Sequence, residues 1–121
     1  MNSKNIHMIS SVKEIKDIFN NGKHFKAKYL KFIYEVDPEL NSKFRLLISV
    51  PKKKIKLAVK RNNIKRRIKA FYFKKNETHK LNIKVIIIYN YSKPVKYLKL
   101  EKDILSFEKI ILNTWNLLSL N

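Results

Sequence analysis

With 121 residues, 28 Lys and Arg against nine Asp and Glu, and a net charge of +19, the chain has room for one modest core and not for two. Its 45% hydrophobic and 12% aromatic content excludes a disordered polycation, so the charge must sit on a globular body. The absence of cysteine excludes disulfide frameworks, thiol nucleophiles and thiolate metal sites.

Met1 to Ile9 shows no periodicity and is expected to be mobile within a single domain spanning 1–121. Ser11-Val12-Lys13-Glu14 has capping-box spacing and predicts a helix start, with Val12, Ile15, Ile18 and Phe19 as its apolar stripe. Gly22, the chain's single glycine, predicts the stop, because glycine takes a left-handed conformation cheaply. From Phe25 to Val36 the pattern alternates as β, with room for a short strand leading into a longer one. Leu30, Phe32, Tyr34 and Val36 form the core face, and Lys31, Ile33 and Glu35 the other. Asp37 to Ser42 has turn composition. Phe44 to Val50 then alternates again, with Phe44, Leu46, Ile48 and Val50 inward and Arg45, Leu47 and Ser49 on the open face. The two strands are expected to pair as an antiparallel hairpin.

Pro51 ends that strand, and Lys52 to Lys56 is a basic connection into a helix from about Ala58 to about Lys75. Six cations and no acid fall within Ala58–Lys69, yet Ile64, Ile68, Phe71 and Tyr72 share one side. Asn62, Lys65, Arg66 and Lys69 gather on another at spacings of three and four. Beyond a polar break at 76–82, Ile83 to Tyr89 is the most hydrophobic run and reads as a strand buried on both faces. Tyr91-Ser92-Lys93-Pro94 breaks it. A last helix from about Leu98 to Trp115 carries Ile104, Leu105, Phe107, Ile111, Leu112 and Trp115, with Glu101, Asp103 and Glu108 expected in solvent. The order is α, two or three strands, α, strand, α.

No run approaches the ~20 apolar residues that span a bilayer, and the amino terminus lacks a signal-peptide core, so a cytoplasmic address is expected. A body this basic repels itself, and nucleic acid is its commonest partner, an anionic membrane surface the second. His7, His24 and His79 lack metal-ligand spacing, and no pair of acids is placed for acid–base or two-metal chemistry.

Ser49-Val50-x-Lys52-Lys53, followed by Ala58-Val59-x-Arg61-Asn62-x-Ile64-Lys65-Arg66, resembles the signature of the bacterial ribonuclease P protein subunit, the small basic partner of a catalytic RNA. The motif match covers the middle third, and length, charge and element order extend it over nearly the whole chain. The chain departs from the family pattern in three places: Asn63 and Lys69 stand where the family usually has arginine, and Lys56-Leu57 replaces a small, often Gly-containing step. Lysine acts as a point charge where arginine would make a bidentate phosphate contact.

The resemblance implies an α+β fold of αβββαβα order: a mostly antiparallel four-stranded sheet with a left-handed βαβ crossover, in a ribosomal-protein-like two-layer sandwich. It implies a subunit that binds the catalytic RNA and the 5′ leader of precursor tRNA, in a ribonucleoprotein that removes the leader with Mg²⁺ held mainly by the RNA. No catalytic or metal-binding residues are expected in the protein, and no protein partner or membrane. Lys52, Lys53, Lys60, Arg61, Asn62, Lys65, Arg66 and Lys69 are the expected RNA contacts. Ile15, Phe19, Lys31, Ile33 and Ser49 are the expected leader cleft. Two rival classes stand beside this one. A ribosomal or nucleoid-associated protein explains the charge but not the ordered motif, and a stand-alone nuclease would need a constellation that is missing.

Overall fold

The computed structural model describes residues 6–36, 44–74 and 83–119. Strand β1 is Ile6–Met8, helix α1 Val12–Asn21, β2 Lys23–Lys26, β3 Leu30–Val36, β4 Phe44–Ser49, helix α2 Ala58–Lys74, β5 Ile83–Tyr89 and helix α3 Tyr97–Ser119. The turn at Asp37–Ser42, the break at 76–82, His79 and the Trp115 side chain lie outside the described residues.

The strands form one sheet in the order β1-β4-β5-β3-β2. Within its four main strands β5 runs parallel to β4 and antiparallel to β3, and β3 is antiparallel to β2, so the sheet is mostly antiparallel as expected. The expected hairpin of β3 with β4 does not form, because β5 lies between them. The most apolar strand takes the centre, where both backbone edges are paired and both faces are covered. Residues 6–9, expected to be mobile, instead add a strand: β1 pairs parallel to the free edge of β4, Ile9 N–H donates to the Leu46 carbonyl at 2.9 Å, and Ile9 is buried.

Alternation sends Leu30, Phe32, Tyr34, Phe44, Leu46, Ile48, Ile83, Val85, Ile87 and Tyr89 to one face. There they meet Ile64, Ile68, Phe71 and Tyr72 of α2 and Leu100, Ile104, Phe107 and Ile111 of α3, which completes the expected two-layer sandwich. The rings of Phe32 and Phe107 stack at 4.2 Å between centroids at its centre. On the opposite face α1 covers a smaller cluster of Ile9, Ile18, Ile33 and Ile86.

The α1 cap is half of a capping box. Glu14 N–H donates to Ser11 Oγ at 3.3 Å. The Glu14 carboxylate does not fold back, because Arg45 Nη2 donates to its Oε1 at 2.7 Å and Lys84 Nζ sits 3.4 Å from its Oε2. These ties pin α1 across β4 and β5. Val12 and Phe19, expected in the apolar stripe of the helix, are exposed, and the stripe is buried at Ile18 with Ile15 packed half-buried beside it. Gly22 ends the helix in extended backbone, φ −77° and ψ 162°, not in the left-handed region. What requires glycine there is space: a Cβ would lie 2.5 Å from the Ile18 carbonyl oxygen and 3.0 Å from that of Tyr34.

Two acids of α3 expected in solvent are buried. Asp103 Oδ2 accepts from the N–H groups of Tyr29 at 2.7 Å and Leu30 at 3.1 Å, fastening the start of β3 to α3. Glu108 is buried beside Tyr72, whose hydroxyl is raised well above its ordinary pKa by burial and then by that carboxylate.

Candidate nucleic-acid interface

Helix α2 owes its placement to four apolar residues and its chemistry to the opposite side. Ile64, Ile68, Phe71 and Tyr72 dock it on the sheet and α3. Turning by 100° per residue then brings Asn62, Lys65, Arg66 and Lys69 together on the side towards β1 and β4. With Met8 and Ile48 these four line an open groove of about 250 Å³, apolar on the strand side and cationic on the helix side. Lys65 and Arg66 have no acidic partner among the described residues, so their charge is left for an outside anion. Met8 is a contributor that sequence periodicity missed, because a three-residue strand carries too short a pattern to detect.

Arg61 does something the sequence did not announce. Its Nη1 donates to the carbonyl oxygens of Ile55 at 3.0 Å and Lys56 at 2.7 Å. The loop thus clamped is also held by the N–H groups of Lys54 and Ile55 on the Pro51 carbonyl, at 3.0 and 3.1 Å, and by burial of Ile55 in the main core. The result is a fixed basic promontory. Lys53, Lys54, Lys56 and Lys60 line a second open cavity of about 410 Å³ with Ile55, Leu57, Ser92 and Pro94, and Lys52 stands exposed beside it.

The five residues expected in a cleft divide on the α1 face of the sheet. Ile33 is fully buried beneath α1, and Ile15 packs half-buried on the same cluster, so Ile33 supports the surface without being part of it. Phe19 is 42% exposed. Strand register brings Lys31 and Ser49 into one cross-strand row: Ser49 of β4 lies opposite Ile88 of β5, Ile88 opposite Lys31 of β3, and Lys31 opposite Lys26 of β2. Ile88 and Lys26 are thus members of the row that sequence reasoning left out. Register across a sheet depends on which strands are neighbours, and the insertion of β5 was not legible.

Among the described residues no three His, Cys, Asp or Glu side chains come together to hold a metal ion. No helix among the described residues is long and apolar enough to cross a membrane.

A three-helix α+β fold on a mixed sheet, with a basic face on its central helix and a clamped lysine loop beside it, defines a small nucleic-acid-binding protein. The ribonuclease P family model matches residues 4–111, and the chain belongs to that family. It is 37% identical over 60 residues to the ribonuclease P protein component of Porphyromonas gingivalis, a stretch that is 49% of this chain and 44% of that relative, less than half its length. The structure is similar to that of the Staphylococcus aureus RNase P protein, with a TM-score of 0.73 and 28% identity over 87% of this chain and 94% of the other. It shares the fold of the Thermotoga maritima RNase P protein, with a TM-score of 0.70 at 17% identity over 84% and 94% of the two chains.

Proposed function

We propose that this protein is the protein subunit of ribonuclease P, a cytoplasmic single-domain RNA-binding protein that assists the 5′ maturation of tRNA. Family membership favours this reading over a ribosomal or nucleoid-associated role. In it the catalytic RNA is held by Lys52, Lys53, Lys60, Arg61, Asn62, Lys65, Arg66 and Lys69. The observation that carries the reading is the α2 groove, where Asn62, Lys65, Arg66 and Lys69 converge on an apolar strand edge, Lys65 and Arg66 without an acidic partner among the described residues. Phosphates meet the cations, and each contact releases counterions from the RNA.

The single-stranded leader of precursor tRNA runs over the Ser49–Ile88–Lys31–Lys26 row, with Phe19 as a stacking platform and Ile15 beside it. Aromatic faces accept any base and lysines track the backbone, which suits a leader of variable sequence. The phosphodiester hydrolysis and its Mg²⁺ belong to the RNA. The protein's part is to bring two polyanions together and screen their repulsion, and it needs no other protein to do so.

The test is reconstitution. Purified protein alone is expected to cleave no precursor tRNA, and adding it to ribonuclease P RNA at low Mg²⁺ is expected to restore cleavage that the RNA alone does not support. Cleavage by the protein alone, or no effect on the RNA, would overturn the reading.

A further inference from the structure

A second cationic and aromatic cluster lies at the junction of the β2–β3 turn, the segment after β5 and the start of α3. It shares no lining residue with the α2 groove or with the lysine-loop cavity. Lys28, Tyr29, Lys99, Lys102 and Asp103 line an open hollow of about 190 Å³. Tyr29 is buried, and the Nζ atoms of Lys28 and Lys99 lie 5.5 and 5.9 Å from its ring centroid. The exposed Tyr91 meets that ring edge-on at 4.9 Å, 87° between planes.

The hollow gathers three lysines against one acid, and a bound anion balances the excess. Asp103 does so only in part, because its Oδ2 is spent on the N–H groups of Tyr29 and Leu30. The other acid of this helix turn, Glu101, lies beside Tyr97. Lys93 and Lys96 add exposed charge on the same segment. That segment is tied in place: Tyr89 Oη–H donates to the Lys93 carbonyl, and Asn90 N–H donates to the Tyr29 carbonyl at 2.8 Å. Tyr91 is thereby held, 39% exposed, against the ring that lines this lysine-rich hollow.

We propose that Lys28, Tyr91, Lys99 and Lys102 form a second RNA-binding site, which holds an unpaired stretch of RNA with its phosphates on the lysines and one base stacked on Tyr91. The inference rests on the ribonuclease P reading for the identity of the RNA. It adds that the protein grips that RNA at two separated places, so that it braces two RNA elements against each other.

The test compares full-length variants binding ribonuclease P RNA over a range of salt. Lys28→Ala, Lys99→Ala and Lys102→Ala combined is set against Lys13→Ala, Lys16→Ala and Lys109→Ala, which removes the same charge from exposed lysines elsewhere. The first triple is expected to lose roughly tenfold in affinity relative to the second at about 0.2 M salt, with a salt slope shallower by about two. Tyr91→Leu is expected to lose roughly tenfold with an unchanged slope, and Tyr91→Phe to keep wild-type affinity. Equal affinities and slopes for the two triples would overturn the site, as would a Tyr91→Leu variant that binds like Tyr91→Phe. If Lys65→Ala with Arg66→Ala weakens binding while the Lys28 triple matches its control, the second site fails and the ribonuclease P reading stands. If the wild type does not activate the RNA, that reading fails first.

Discussion

Gly22→Ala tests whether the seat of α1 is fixed by close packing alone. Alanine is at ease at φ −77° and ψ 162°, so the substitution carries no conformational penalty. It stiffens the unfolded chain, which by itself stabilises by about 0.4–1 kcal/mol. Against this, the new Cβ meets the Ile18 carbonyl oxygen at 2.5 Å, the Tyr34 carbonyl oxygen at 3.0 Å and Ile33 Cγ2 at 3.2 Å. Two of the three are backbone atoms on different elements, so no rotamer change relieves them, and the end of α1 has to lift from β3. Lifting also stretches the 2.7 Å bond from Gly22 N–H to the Ile18 carbonyl. Overpacking of this kind costs about 1–3 kcal/mol. The net expectation is a loss of about 1–2 kcal/mol, seen as a drop of roughly 3–10 °C in Tm by scanning calorimetry. Leader binding should fall with it, since Phe19 rides on the displaced helix, while affinity for the catalytic RNA through α2 holds. A Tm at or above that of the wild type would refute the reasoning, because it would mean that α1 shifts freely and the chain-entropy gain dominates.

Asp103→Ala strips the acceptor from two buried N–H groups and should cost about 2–5 kcal/mol in urea unfolding, with Asp103→Asn, which keeps one oxygen, costing less. Equal losses for the two would show that the carboxylate's hydrogen bonds are not what matters. Arg61→Lys keeps the charge but not the planar fork over two carbonyls, so hydrogen exchange should speed up at Lys54 and Ile55 and RNA affinity should fall; unchanged protection would leave Arg61 as a phosphate contact only. Tyr72→Phe should be neutral or stabilise by up to about 1 kcal/mol, because the buried hydroxyl has no hydrogen-bond partner among the described residues. The same change should flatten the alkaline decline in stability. The unfolded tyrosine gives up its proton near pH 10, whereas in the folded protein burial and Glu108 hold it on, so wild-type stability falls as pH rises above about 10. Urea midpoints at about pH 8 and 11 measure this, and an equal decline in the variant would sink it.

Much of the molecule is legible in its residues, for local reasons. The faces of β3 and β4 follow from strict alternation, and the docking side of α2 from Ile64, Ile68, Phe71 and Tyr72 at helical spacing. The α2 groove follows too, since Asn62, Lys65, Arg66 and Lys69 sit on one turn-related stripe. What escaped depends on contacts between distant segments. The hydrophobicity of Ile83–Tyr89 signals burial on both faces but not which strands flank it. Asp103 resembles any solvated helix acid until Tyr29 and Leu30 come to it from 74 and 73 residues away. Gly22 is legible as a helix stop, whereas its reason, a backbone approach from β3, is visible only in three dimensions. Arg61 belongs to the recognisable motif, yet its bonds to Ile55 and Lys56 make it a builder of the lysine loop as well as a charge.

The strand order carries a consequence for the chain as it is being made. During synthesis β3 and β4 emerge long before β5, and consecutive strands pair readily when nothing separates them. Native order, however, demands that the place between them stay open until residues 83–89 have left the ribosome, because β5 must hydrogen-bond to both. An early hairpin would have to be undone, and pairing that closes over such long sequence separations is slow. The nascent protein thus passes through a stage in which two unsatisfied strand edges wait for a wedge, and its vulnerability to aggregation is concentrated in that interval.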